Sequence, residues 1–207
     1  MTQAPLEEAP LKESPQLVVV GGPNGCGKTT FARYYGRTES LPYLGADDIA
    51  FEMAPHDPAS VRVKAGREFS RRLSAALAEG ASLIIESTLA GASLARTVAA
   101  ARRAGYRVTI ILVFLDSVEL CLHRIAERVA QGGHDVPEED VRRRFERVFP
   151  VFWQQYRPHA DRCLLVFNGG ESFLAVAEST GDAWTIYDSQ VWNAFQRFIN
   201  GGEHENG

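Results

Sequence analysis

An α/β fold, a mainly parallel sheet flanked by helices, is what this sequence predicts, and three observations carry the prediction. Short apolar runs alternate with helical patterns along most of its 207 residues. A glycine-rich segment follows the first apolar run and opens directly into a helical pattern. The later apolar runs are continuous rather than alternating, as strands covered on both faces are.

Residues 1–16, with prolines at 5, 10 and 15 among acidic residues, read as a disordered tail without the basic and apolar regions of a signal peptide. Residues 17–207 read as one domain. Its first strand is Leu17-Val18-Val19-Val20. Gly22-Pro23-Asn24-Gly25-Cys26-Gly27-Lys28-Thr29 then matches the G-x-x-x-x-G-K-[ST] phosphate-binding loop in full, with Thr30 continuing into a helix. Glycines let successive N–H groups turn inward, and the helix start aims its positive end at the same phosphates. Lys28 reaches the β/γ-phosphates and Thr29 offers a hydroxyl to Mg²⁺. ATP and Mg²⁺ are the expected cofactors.

A second strand is expected over 43–46, delivering Asp47 and Asp48 to the edge of the sheet where ligands collect. A carboxylate there can take the proton of an attacking hydroxyl, although Asp48 reads equally as a helix cap. Val61, Ala65, Phe69, Leu73 and Leu77 recur every four residues and describe one buried face of a long helix stopped by Gly80. Arg62, Lys64, Arg67, Arg71 and Arg72 occupy its other faces, mostly as solvated charge. Strand Ser82-Leu83-Ile84-Ile85 ends at Glu86, followed by Ser87-Thr88, again on the ligand edge. A strand over Val108 to Leu115 follows, too short to span a bilayer. Asp116 and Glu119 have the spacing of a capping box, with Asp116 as the cap.

Arginines 124, 128, 142, 143, 144 and 147 surround Gly132-Gly133-His134, a loop whose glycines permit hinge motion. Such a lid brings positive charge to a transferring phosphoryl group and excludes water. The triplet 142–144 fans around its helix, so Arg143 and Arg144 are the candidates, with Arg147 one turn on; the alternative is a solvated face paired with Glu138, Glu139, Asp140 and Glu146. That helix starts at Asp135-Val136-Pro137-Glu138 and carries an apolar stripe of Val141, Phe145, Val148, Phe149 and Phe152. A fifth strand over Cys163 to Phe167, a hairpin from 172–178 and 183–187 turning at Gly181-Asp182, and a helix from Ser189 to Ile199 complete the chain.

Composition narrows the function. A net charge of −4 disfavours a general nucleic-acid binder. Cys26, Cys121 and Cys163 have no C-x-x-C spacing, so neither a disulfide framework nor a zinc site is indicated, and a cytoplasmic location is expected. No N-K-x-D or D-x-x-G motif accompanies the loop, which disfavours a GTPase.

Together these residues resemble the zeta toxin family of P-loop kinases, particularly its shorter members. The resemblance rests on the loop through Thr30, Ala46-Asp47-Asp48-Ile49-Ala50, Ala65-Gly66-Arg67, Ile85-Glu86-Ser87-Thr88-Leu89, Ala104-Gly105-Tyr106, and Gly132-Gly133-His134-Asp135-Val136-Pro137 with Arg142-Arg143-Arg144-Phe145. It implies a P-loop NTPase fold of the adenylate-kinase-like type, with an arginine-bearing lid. It also implies transfer of phosphate from ATP to a hydroxyl of a small metabolite, in the characterised toxins a UDP-N-acetyl amino sugar, and an antitoxin protein as a candidate partner. By the same likeness Asp47 is the base, Lys28 and Arg128 with one of Arg143, Arg144 or Arg147 act on the phosphates, and Arg67, Glu86 and Thr88 join the substrate site; likeness to kinases of this fold makes Arg124 with Asn168-Gly169 the frame of the adenine. A nucleoside or polynucleotide 5′-hydroxyl kinase, and a noncatalytic ATP-binding regulator, are the rival readings. Two departures stand out: Cys26, expected to sensitise the site to oxidation if the loop lowers its pKa, and Gly45 where the family carries asparagine.

Overall fold

The computed structural model describes residues 14–133, 135–170 and 172–200. The expected tail lies outside them up to residue 13, as does His134 of the glycine loop.

Seven strands form a single sheet in the order β2-β3-β1-β4-β5-β6-β7. Strands β1 (Gln16–Gly21), β2 (Tyr43–Leu44), β3 (Leu83–Ser87), β4 (Arg107–Phe114) and β5 (Arg162–Phe167) run parallel, with Val18 opposite Ile84 on one side and Thr109 on the other. The apolar side chains of β1 and β4 are almost wholly buried, which is why their sequences show no alternation. The expected C-terminal hairpin is β6 (Leu174–Thr180) and β7 (Ala183–Ile186), turning at Gly181. It does not stand apart: β6 pairs antiparallel with β5 and extends the main sheet.

Helices α1 (Lys28–Thr38), α2 (Ala46–Met53), α3 (Arg62–Ala78), α4 (Ser93–Arg103), α5 (Val118–Ala130), α6 (Glu138–Val151) and α7 (Ser189–Ile199) connect the strands. Gly80 ends α3 as expected, at φ +70°, with Ala81 N–H donating to Ala76 O and Gly80 N–H to Leu77 O. The same paired closure ends α5, where Gly133 N–H donates to Arg128 O and Gly132 N–H to Val129 O. Gly132 therefore serves as a helix stop. Phe114, Phe149, Phe195 and Phe198 interlock, with the last rings of α6 and α7, Phe149 and Phe198, stacked 4.4 Å apart.

Three local expectations are corrected. The second strand is two residues long rather than four, because Gly45 in an extended conformation caps α2 and Ala46 is already helical. Asp116 is exposed and caps nothing; Ser117 is the cap of α5, its Oγ accepting from Leu120 N–H at 3.2 Å. Phe152 lies past α6, in a π-helical turn over Phe152–Tyr156 that follows Pro150, whose missing N–H interrupts the regular ladder. Among the described residues no helix is long and apolar enough to cross a membrane.

Candidate active site

The loop from Gly22 to Gly27 is set in place by neighbours that leave no room for side chains. A Cβ at Gly22 would sit 1.9 Å from Val113 O at the end of β4, and one at Gly25, at φ +81°, 2.4 Å from Cys121 O in α5. Backbone therefore packs on backbone, and the loop ends at the N-terminus of α1, where an anion is favoured. Lys28 Nζ donates to Pro23 O at 2.7 Å across the loop. Behind it, Asn168 beyond β5 donates from Nδ2 to Cys26 O at 2.9 Å and from its backbone N–H to Phe114 O at 3.0 Å, while its own carbonyl accepts from Arg124 Nη2 at 2.8 Å. Arg124 and Asn168 thus tie α5 and β5 to the loop.

Cys26 overturns its sequence reading. The thiol is fully buried and donates to Val113 O at 3.0 Å, and burial, the largest influence on it, pushes its pKa up despite nearby Lys28. A loop position expected to activate a thiol instead seals it beneath the backbone.

The cradle opens into a cleft of about 200 Å³. Asn24, Gly25, Lys28 and Thr29 form its loop wall, and Glu86, Ser87 and Thr88 come from the end of β3. Asp47 faces in from α2, Arg128 from α5 and Arg144 from α6. Glu86 lies within β3, paired with Val20, rather than beyond it. Its Oε2 is buried without a hydrogen-bond partner, and the Tyr43 phenol interacts with the same carboxylate.

Geometry separates the two neighbouring aspartates. Asp48 is held by Arg33 at 2.6 Å and borders a different groove, whereas Asp47 lines the cleft. Neither caps α2, whose cap makes no side-chain bond, though both lie in its first turn, where negative charge meets the helix dipole favourably. Gly45 has its own reason: a Cβ there would meet the Tyr43 hydroxyl at 2.4 Å. Tyr43 occupies the space that a side chain at 45 would need. Burial first, then the charges of Glu86 and Asp48, hold its phenol protonated far above the usual range.

The arginines divide. Arg144 bridges α6 to the loop, with Nη1 donating to Asn24 Oδ1 at 3.1 Å and Nη2 to Asp140 Oδ2 at 3.2 Å. Arg143 pairs with Asp140 and does not border the cleft; Arg142 pairs with Glu119 and Glu138 in solvent. Arg67 is exposed on α3 and outside the cleft, as is Thr30 on α1, and Arg62 at the first position of α3 lines the cleft instead. Arg62 was read as solvated charge because its spacing matches the exposed face of α3; nothing in the sequence shows that the N-terminal end of this helix overhangs the loop.

These residues fit a nucleoside triphosphate with a divalent ion. The cradle supplies backbone donors, Lys28, Arg62, Arg128 and Arg144 supply positive charge, and Thr29 supplies an oxygen. Among the described residues no three His, Cys, Asp or Glu side chains gather as a metal cage, so an ion here draws its other ligands from phosphate and water.

The sequence pattern of the AAA_33 family, an AAA domain, matches residues 17–151. The chain belongs to this family. An uncharacterized protein of Haemophilus influenzae is 31% identical over 124 residues, covering 60% of this chain and 88% of that one. Among solved structures, the AvrRxo1-ORF1:AvrRxo1-ORF2 complex with sulphate ions superposes with a TM-score of 0.68 at 15% identity over 88% of this chain, which spans 63% of that chain. The PezAT chromosomal toxin–antitoxin system of Streptococcus pneumoniae gives a TM-score of 0.62 at 14% identity, covering 94% of this chain and 89% of that one. At such identities the likeness is one of fold, and the P-loop NTPase architecture expected from the sequence is the one found.

Proposed function

We propose that this AAA_33 domain is an ATP-dependent kinase that transfers the γ-phosphate to a hydroxyl of a small metabolite, with residues 17–207 acting as one unit. The observation that carries the reading is the convergence of Lys28, Thr29, Asp47, Glu86, Arg128 and Arg144 on one cleft, a set with more parts than nucleotide binding alone requires. The loop and Lys28 hold the triphosphate, and Thr29 would hold Mg²⁺, whose charge offsets that of the phosphates. Asp47 takes the acceptor's proton as its oxygen attacks the γ-phosphorus, the bond to the β-phosphate oxygen breaks, and ADP leaves. Arg128 and Arg144 neutralise the equatorial oxygens of the transferring group. Glu86, with its unpaired oxygen, accepts from a second acceptor hydroxyl or from a metal-bound water.

A UDP-N-acetyl amino sugar is the acceptor we favour, on the resemblance of the motif blocks to zeta toxins. An antitoxin partner has the same resemblance behind it, together with the fold shared with PezAT. The test is ³¹P-detected transfer from Mg-ATP to UDP-sugars, nucleosides and 5′-hydroxyl oligonucleotides, with Lys28→Ala and Asp47→Asn as controls. Asp47→Asn is expected to retain ATP binding and to lose transfer by about 10²–10⁴-fold. Unchanged transfer in that variant removes Asp47 as base. Transfer to nucleosides or oligonucleotides alone selects the 5′-hydroxyl kinase, and ATP binding with no transfer to any acceptor favours the noncatalytic regulator.

A further inference from the structure

A second cleft of about 270 Å³ adjoins the nucleotide cleft and shares Ser87, Thr88 and Arg144 with it. Its remaining walls come from Arg143 and Arg147 on α6, Gly91 and Ser93 at the start of α4, and Tyr156. Among the described residues no Asp or Glu lines it, Asp140 is the one carboxylate paired with Arg143 and Arg144, and Arg147 has no ion pair. Positive charge therefore dominates a space open to the transfer site.

The floor between the two clefts is built rather than loose. Leu89, a buried leucine, is held at φ +52°, an uncommon conformation for a residue with a side chain. Its N–H reaches Ser87 Oγ at 3.2 Å, and its side chain fills the space above Gly21, where a Cβ would lie 1.9 Å from Leu89 Cδ1. Tyr156 Oη donates to Gly91 O at 2.6 Å from beneath, while the Cα of Gly91 meets open space on its other side. Residues 87–91 form a fixed partition, with the half-buried Ser87 and Thr88 bordering both clefts.

We propose that the second cleft is the seat of a phosphate group carried by the acceptor, held by Arg143 and Arg147 on α6. This rests on the kinase reading, whose favoured acceptor already carries a diphosphate, and adds the residues that anchor it. Arg143 and Arg147 hold the acceptor's phosphate, with Ser93 donating a hydroxyl. Arg144, already bonded to Asn24 of the loop, stays with the transferring group. A phosphate suits the site better than a carboxylate, because its additional terminal oxygens can use the forks of two separate guanidiniums and a hydroxyl at once.

The experiment loads the nucleotide site of the full chain with a non-hydrolysable ATP analogue and Mg²⁺, then titrates inorganic phosphate by calorimetry. Wild type is expected to bind phosphate in the loaded state. Arg147→Gln is expected to weaken it by about five- to tenfold, the effect of a charge-assisted bond discounted for exposure, with analogue affinity unchanged and Arg147→Lys recovering part of the loss. Glucose 6-phosphate, ribose 5-phosphate and UDP-N-acetylglucosamine should displace the phosphate, and glucose should not. Phosphate binding that is absent, or indifferent to Arg147→Gln and Arg143→Gln, overturns the inference and leaves the kinase reading standing. So does a bound phosphate that no ester displaces, which would mark a site for the free anion. Failure of the analogue to bind wild type is a different result, and removes the kinase reading together with this one.

Discussion

Asn168→Ala tests how the phosphate cradle is held. The Nδ2 bond to Cys26 O, 2.9 Å long and partly buried, is the side-chain link between the end of β5 and the middle of the loop. Its net worth is about 0.5–1.5 kcal/mol, and a carbonyl left without a donor raises the cost to about 1–3 kcal/mol where water does not replace it. Because the loop is what receives the phosphates, part of this loss should appear as nucleotide affinity, about tenfold for each 1.4 kcal/mol. A second substitution makes the test specific. A Cβ on Gly27 would lie 2.6 Å from Asn168 Nδ2, at φ +93°. Gly27→Ala in the wild type therefore carries both the clash and the left-handed backbone strain of about 1–2 kcal/mol; in the Asn168→Ala background the strain alone remains. The double variant should be less destabilised than the sum of the singles by about 1 kcal/mol. Urea unfolding followed by the fluorescence of Trp153, Trp184 and Trp192, with competition against a fluorescent ATP analogue, reads both quantities. If Asn168→Ala changes neither, and the cycle is additive, Asn168 is a bystander and the clamp argument is wrong.

Cys26 should resist iodoacetamide and mild peroxide in the folded protein at pH 8 and react once urea unfolds it, since burial holds its thiol protonated; rapid modification of native protein, with loss of ATP binding, would restore the redox reading that the geometry removes. Glu68 on α3 is held down to about 2 by hydrogen bonds from Arg71 and then Arg72. A folded-state pKa below the ordinary value of 4.5 means a contribution present above that value and lost as pH falls toward 2. Glu68→Gln should therefore flatten the acid limb of the stability profile between those limits, and an NMR titration of Glu68 with an ordinary midpoint would refute the pairing.

The parts of this protein legible in its sequence are those governed by local rules. The loop motif, the burial of β1 and β4, the Gly80 stop and the helix over 189–199 each follow from spacing or backbone freedom within a few residues. What escaped depends on contacts between segments far apart in the chain. Arg62 and Arg67 are both arginines of α3, and only the placement of that helix against the loop decides that the first lines the cleft. The loop position of Cys26 suggests a thiol sensitive to oxidation; Val113 O, 87 residues away, and burial set its environment instead. Gly45 looked like a lost asparagine until the Tyr43 hydroxyl was found in its place.

The two kinds of contact also divide the labour of the site. Around the loop the packing restraints are close: Gly22 and Gly25 against backbone carbonyls, Cys26 on Val113, Leu89 over Gly21. These contacts cannot exchange with water and keep the N–H cradle in one shape before the nucleotide arrives, so no binding energy goes into ordering it. Arg142 and Arg143 of α6 are held differently, by exposed pairs to Asp140, Glu119 and Glu138 whose individual worth is about 0–1 kcal/mol. A phosphate offers Arg143 or Arg144 a stronger partner than Asp140 does, at small cost in the pair given up. Such weak pairs keep the guanidiniums extended and near the clefts without committing them, so a fixed cradle faces an adjustable cationic wall. On this logic Asp140→Asn, which frees Arg143 and leaves Arg144 on Asn24, should tighten binding of anions to the second cleft. Weaker phosphate binding in that variant would mean that Asp140 positions the arginines rather than competing for them.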